Sequence, residues 1–268
     1  MSTTTSASAG TRTVDLPAGL TVTVREFGRN TDGTGILLLH GGAGPASVLG
    51  LAAALSEDRY VVIPTHPGFD GTPRPDATDS VADLAGAYLD LLDLLDLRAV
   101  TVIGNSVGGW IAAETGLRDT RGRIARLILL AATGITPEPP LEIANPALIG
   151  PAKTAELAFF RPELRPDPAK LTAEQKAAIA ANQQALAVYA GDPFCHDPKL
   201  RSRLHRVTVP VLVLAGEQDG IAPLPYERAL AESFPNATFT AISQAGHFPH
   251  MDQPEAVSAA LTAFIAGG

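Results

Sequence analysis

The chain has 268 residues, 46% of them hydrophobic, with 28 acidic side chains against 20 basic ones and a formal charge of -8. That size and apolar fraction suit one large α/β domain, or one domain carrying an insertion, and the negative balance excludes the basic stripe that a nucleic-acid partner would require. No apolar run reaches the roughly 20 residues needed to span a bilayer, and the single cysteine, Cys195, permits neither an internal disulfide nor a cysteine metal cluster.

Residues 1–13 are rich in Ser, Thr and Ala and lack the basic head and apolar middle of a secretory signal, so a flexible tail and a cytoplasmic protein are expected. Apolar runs that read as strands follow at residues 20–27, 36–39, 60–63, 100–103, 124–130, 209–214 and 237–242. The 36–39 and 209–214 runs are apolar almost throughout, as suits central strands covered on both faces. Helical patterns alternate with these runs at residues 81–97, 107–117, 225–233 and 254–265. In the first of them Val81, Leu84, Ala85, Tyr88, Leu91, Leu92 and Leu95 form one stripe behind an N-cap at Ser80. Such alternation predicts a sheet with crossover helices. Residues 136–206 break it: prolines at 137, 139, 140, 146 and 151 open a stretch with two helical patterns and no strand. The expected organisation is therefore a core of residues 14–135 and 207–268 with a helical cap, 136–206, inserted between its halves.

Four motifs fall at the ends of predicted strands. The run Val100-Thr101-Val102-Ile103 leads straight into Gly104-Asn105-Ser106-Val107-Gly108, followed by a helical pattern. A serine hydroxyl becomes a useful nucleophile only when held clear of the backbone and beside a base, and a sharp strand-to-helix turn flanked by small residues achieves the first. A glycine-rich turn with an incidental serine would look the same in isolation. His40-Gly41-Gly42-Ala43-Gly44-Pro45 follows the 36–39 strand and could present backbone N–H groups to a developing oxyanion. No Gly-Lys-Ser/Thr follows it, which disfavours a phosphate loop. Gly216-Glu217-Gln218-Asp219 offers a carboxylate that could orient a histidine; Asp219 before Gly220 is also an ordinary turn residue, and Glu217 is a weaker candidate for the same role. Gly246-His247-Phe248-Pro249-His250 offers the histidine, with His247 preferred as the base and His250 read as structural.

The order Ser106, Asp219, His247, with all four motifs in sequence, resembles the α/β-hydrolase superfamily over residues 14–265. The resemblance implies a mostly parallel, eight-stranded sheet flanked by helices, with the cap after the sixth strand and the unassigned strand in an amino-terminal hairpin. It also implies Ser106 as nucleophile, His247 as base, Asp219 as its orienting acid, and oxyanion amides at Gly42 (or Ala43) and Val107. No cofactor or metal is called for. Serine at 106 sets the chain apart from relatives that open epoxides or remove halides with an aspartate at that position. Where many relatives carry an acidic residue before Pro-Gly or Arg-Gly, this chain has Thr65-His66-Pro67-Gly68, and His66, like His40, reads as bracing its loop. Trp110 is expected to pack under the nucleophile helix, and Cys195 with His196 lacks the third ligand of a metal site. Phe159, Phe160 and Tyr189 either line a pocket or glue the cap to itself.

The expected activity is hydrolysis of a small-molecule acyl substrate, an ester, thioester or lactone, through an acyl-enzyme. Carbon–carbon hydrolysis, acyl transfer and perhydrolysis use the same apparatus, and a small-molecule receptor can share the fold. Substrate identity and oligomeric state are not legible.

Overall fold

The computed structural model of the protein describes residues 10–267. Its strands are β1 (Gly10–Leu16), β2 (Leu20–Phe27), β3 (Ile36–Leu39), β4 (Val61–Pro64), β5 (Val100–Asn105), β6 (Ile124–Leu130), β7 (Val211–Gly216) and β8 (Ala237–Ile242). They form one eight-stranded sheet in the order β1-β2-β4-β3-β5-β6-β7-β8. β2 runs antiparallel to β1 and β4, and every other pairing is parallel. Its helices are α1 (Leu49–Leu55), α2 (Val81–Leu94), α3 (Val107–Arg118), α4 (Pro146–Ala158), α5 (Ala173–Ala190), α6 (Leu224–Ala231), α7 (Pro249–Asp252) and α8 (Pro254–Ala266).

Side-chain alternation along the central strands builds two cores. Leu37, Leu39, Val102 and Val213 face α2, α3 and α6, whose Leu84, Tyr88, Ile111 and Tyr226 complete that layer. Ile36, Leu38, Ile103 and Leu214 face the other way, toward Leu51 and Leu55 of α1 and Val257 and Leu261 of α8. A strand apolar at every position is thus buried on both sides, as the unbroken runs require. α4 and α5 fall between β6 and β7 in the chain. Among the described residues no helix is long and apolar enough to cross a membrane.

The eighth strand is β1, and it corrects the expected tail. Residues 10–13 pair with β2 in continuous register from Gly10↔Glu26 to Leu16↔Leu20. Composition misleads there because β1 is an edge strand that buries only Val14 and Leu16. Polar contacts between strands hold the rest: Arg12 with Glu26 at 2.8 Å, and the Thr21 hydroxyl donating to Asp15 at 2.7 Å. Residues 1–9 of the expected tail lie outside the described residues. The 81–97 helix ends earlier than its stripe suggests, at Leu94. α1 and α7 are too short for the periodicity of their sequences to reveal.

Ser80 caps α2 as its sequence predicts. Its hydroxyl accepts from the Asp83 N–H at 3.2 Å, and the Asp83 carboxylate accepts the Ser80 N–H at 3.0 Å. Ser80→Ala should therefore lower unfolding free energy by about 1 kcal/mol in urea titration, with no change in the slope of the transition.

Candidate active site

β5 delivers Ser106 into a turn that only small neighbours allow. Ser106 has φ 57 and ψ -124, a strained conformation for a residue with a side chain. A methyl group on Gly104 would come within 2.1 Å of the Gly108 carbonyl oxygen, and one on Gly108 within 2.4 Å of the Leu39 carbonyl oxygen. The loop after β3 presses on the serine itself, since a methyl on Gly41 would lie 2.8 Å from Ser106 Cβ. Three backbone segments therefore meet at one point, and each contributes a glycine there.

The loops after β7 and β8 approach one another as closely. A Cβ on Gly216 would sit 2.2 Å from the Gly246 carbonyl oxygen. This brings His247 against Asp219, with Nδ1 and Oδ2 2.9 Å apart and both residues buried. Asp219 is also the turn residue its setting suggested. Its Oδ1 accepts the N–H groups of Ile221 at 2.7 Å and Ala222 at 3.0 Å, which fixes Oδ2 toward the imidazole. Glu217 is exposed and takes no part in this pairing. With Nδ1 engaged, Nε2 of His247 is the nitrogen left for a serine.

Asn105 joins the two halves. Its side-chain N–H₂ donates to the Leu130 carbonyl at 3.0 Å and to the His247 carbonyl at 3.2 Å, so the residue next to Ser106 grips the backbone of the histidine. Among the described residues no hydrogen bond links the Ser106 hydroxyl to His247. Such contacts are commonly loose without substrate and tighten in the reacting complex. The amides of Gly42, Ala43 and Val107 likewise donate to no group among the described residues, and Val107 is the first residue of α3, at the positive end of its dipole.

His40 and His66 brace the loops beside Ser106. His40 Nδ1–H donates to the Gly41 carbonyl at 2.8 Å, and its Nε2 accepts the His66 N–H at 3.1 Å. His66 Nε2–H donates to the His40 carbonyl at 2.9 Å, leaving Nδ1 to accept from the Tyr88 hydroxyl. Every ring nitrogen is used and both tautomers are thereby set. His250 Nε2–H donates to the Ser47 carbonyl at 2.9 Å, tying α7 to the segment beyond the glycine loop.

Helix α5 covers this corner. Asn182 Oδ1 accepts the Asp70 N–H at 2.7 Å, while its N–H₂ reaches the Ala43 carbonyl at 3.3 Å. A methyl on Gly42 would lie 2.9 Å from Leu186 Cδ2 and one on Gly68 3.2 Å from Ala185 Cβ. The Tyr189 hydroxyl donates to the Pro67 carbonyl at 2.9 Å. These contacts correct the alternative that Tyr189 and Phe159 bind the inserted segment only to itself: Phe159 stacks on Phe248 beside His247, with ring centroids 4.9 Å apart. Phe160 is exposed. Asn182, Ala185, Leu186 and Tyr189 repeat at helical spacing, but the alanine-rich sequence of α5 hides the stripe. Cys195 is buried, with its thiol pushed up to about 12 by desolvation, and neighbouring His196 donates to the Phe194 carbonyl at 3.0 Å. Trp110 is buried on α3 itself.

Glu227 on α6 was not anticipated. It is fully buried, neither carboxyl oxygen has a partner, and burial, reinforced by the charge of Asp219, holds it well above the usual carboxylate range. Nothing in its sequence setting distinguishes it from a surface glutamate in a short helix.

The sequence profile described as Alpha/beta hydrolase family matches residues 36–260. The chain is 30% identical to a pimeloyl-[acyl-carrier protein] methyl ester esterase of Aromatoleum aromaticum, over 82% of this chain and 93% of that protein. It is 27% identical to a 2-hydroxymuconate semialdehyde hydrolase of Pseudomonas putida, over 94% of this chain and 92% of that one. Among solved structures it resembles a bacterial membrane phospholipase A at TM-score 0.82 and 25% identity, covering 97% of this chain and 86% of the other.

Burial holds His66 and His250 down to about 4 and His40 well below its usual value. Unfolded imidazoles titrate near 6.5, so acid protonates the unfolded chain first, and stability falls as pH drops from about 6.5 toward 4 by up to about 1.4 kcal/mol per pH unit per histidine. Glu227, shifted upward, gains stability in the acid direction, but it is one group against three. Thermal melts should show a falling midpoint below about pH 6.5, and His250→Gln should flatten that slope by roughly one proton's worth.

Proposed function

The chain belongs to the Alpha/beta hydrolase family, and from that premise we propose that it is a serine hydrolase cleaving a small to medium ester, thioester or lactone without a cofactor. The observation that carries this reading is the buried 2.9 Å contact between His247 and Asp219, set beside a serine in a strained turn. Ser106 Oγ attacks the carbonyl carbon as its proton passes to His247 Nε2, and Asp219 stabilises the imidazolium through Nδ1–H. The oxyanion is received by the N–H groups of Gly42 and Val107, each worth roughly 3–4 kcal/mol of barrier lowering when preorganised. His247 returns the proton to the leaving group as the carbon–heteroatom bond breaks. It then takes a proton from water, whose oxygen attacks the acyl carbon, and passes that proton to Ser106 Oγ as the acyl–serine bond breaks and the acid leaves.

Similarity to the 2-hydroxymuconate semialdehyde hydrolase supports a second reading, in which the same residues cleave a carbon–carbon bond in a diketone-like substrate. Parallel assays on esters and on diketones separate the two, and slow turnover of both with ligand-dependent movement of residues 136–206 would point to a receptor.

Ser106→Ala should abolish turnover, a loss of at least about 10³-fold, with an unchanged melting temperature and no labelling by a fluorophosphonate. Activity near that of the parent would refute the nucleophile. Leu186, lying over Gly42, is positioned to limit the acyl group. Leu186→Ala should shift relative kcat/KM toward branched or longer acyl chains by about tenfold, read from a series of p-nitrophenyl esters.

A further inference from the structure

The loop that carries His247 is held from an unexpected direction. Asp252, only 1% exposed at the end of the four-residue α7, accepts three backbone N–H groups. Its Oδ2 takes Gly246 at 2.8 Å and Phe160 at 3.1 Å, and its Oδ1 takes Arg161 at 3.1 Å. Gly246 precedes the histidine; Phe160 and Arg161 belong to the strap that leaves α4. Strap and loop are in direct contact as well. His247 N–H donates to the Ala158 carbonyl at 2.8 Å, and a Cβ on Gly246 would come within 2.5 Å of that same oxygen.

We propose that Asp252 is the positioning residue for His247, fixing the histidine loop against the strap of the inserted segment so that the imidazole meets Asp219 and Ser106 in one orientation. This rests on the serine-hydrolase reading above. The chemistry of the clamp favours a carboxylate. Three convergent N–H donors need acceptors only, and Asp supplies two oxygens with several lone pairs, whereas Asn would turn an N–H₂ toward one of them. The other side of His247 is already fixed, because its carbonyl accepts from Asn105. Asp252 thus secures the Ala245–Gly246 peptide, the Ala158 carbonyl the peptide between Gly246 and the histidine, and Asn105 the one after it. Neither touches the reacting atoms.

Steady-state kinetics of Asp252→Asn on an ester, corrected for folded protein, test the proposal. We expect kcat to fall by about 10–100-fold while KM moves by less than about threefold, with fluorophosphonate labelling of Ser106 slowing in step. Arg161→Pro removes a single donor and leaves the carboxylate in place; the φ of -82 at Arg161 lies close to what proline adopts. It should lower kcat by roughly 3–10-fold, whereas Arg161→Ala, which keeps the amide, should retain the parent value. That pair decides the matter if Asp252→Asn does not fold. A parent-like kcat in folded Asp252→Asn, or equal effects of the two Arg161 variants, overturns the positioning role. Ser106→Ala keeps the two readings distinct: activity in that variant defeats the nucleophile, while an inert Ser106→Ala beside a fully active Asp252→Asn defeats only the clamp.

Discussion

The architecture of the site depends on a steric constraint: three stretches of main chain must cross where no side chain fits. The strand before Ser106, the helix after it and the loop leaving β3 converge on Gly104, Gly108 and Gly41. Serine holds a positive φ at that crossing, a conformation costing on the order of 1–3 kcal/mol. The surrounding sheet can maintain it because β5 sits in the middle of the parallel array, paired with β3 on one side and β6 on the other. A nucleophile proposed for such a position gains its exposure from strain stored in the backbone rather than from any contact its own hydroxyl makes.

A parallel sheet ends in loops whose main-chain groups lack ladder partners, and buried main-chain groups must find partners elsewhere. Here single buried side chains perform that service. Asp219 gathers two amides and an imidazole, Asn182 bridges two loops to α5, and the His40–His66–Tyr88 chain stitches the β3 and β4 loops together. Asp252 does the same for the histidine loop. Polar residues dominate the upper end of an otherwise aliphatic core for this reason. Asp219, Asn182 and Asp252 each hold two or more groups from separate segments, so truncating any of them strands several partners at once.

Much of this was legible in the sequence because motif and strand end coincide: Ser106, Asp219 and His247 each follow an apolar run whose burial the pattern reveals. The bracing roles of His40 and His66 followed from residue type and place. β1 is legible only through the family resemblance, which implies a strand in an amino-terminal hairpin; its first residues escape composition, since a strand that buries two side chains and pairs the rest in solvent looks like a tail. Asp252, Asn182, Leu186 and Glu227 escaped for a different reason. Their importance lies in what a distant segment brings to them, 92 residues away for Asp252 and Phe160, and no local periodicity encodes that. Phe159 and Tyr189 belong to the inserted segment by position, but the surfaces they meet, Phe248 and the Pro67 carbonyl, lie in other loops of the chain that no local pattern names.

Glu227 has a consequence for the helix that carries it. Its carboxyl is fully buried with neither oxygen partnered, and burial favours the uncharged form. The unfolded chain releases that proton more easily than the folded one does, so each rise in pH above the ordinary carboxylate range takes something from the folded state, and α6 is the element on which that cost falls.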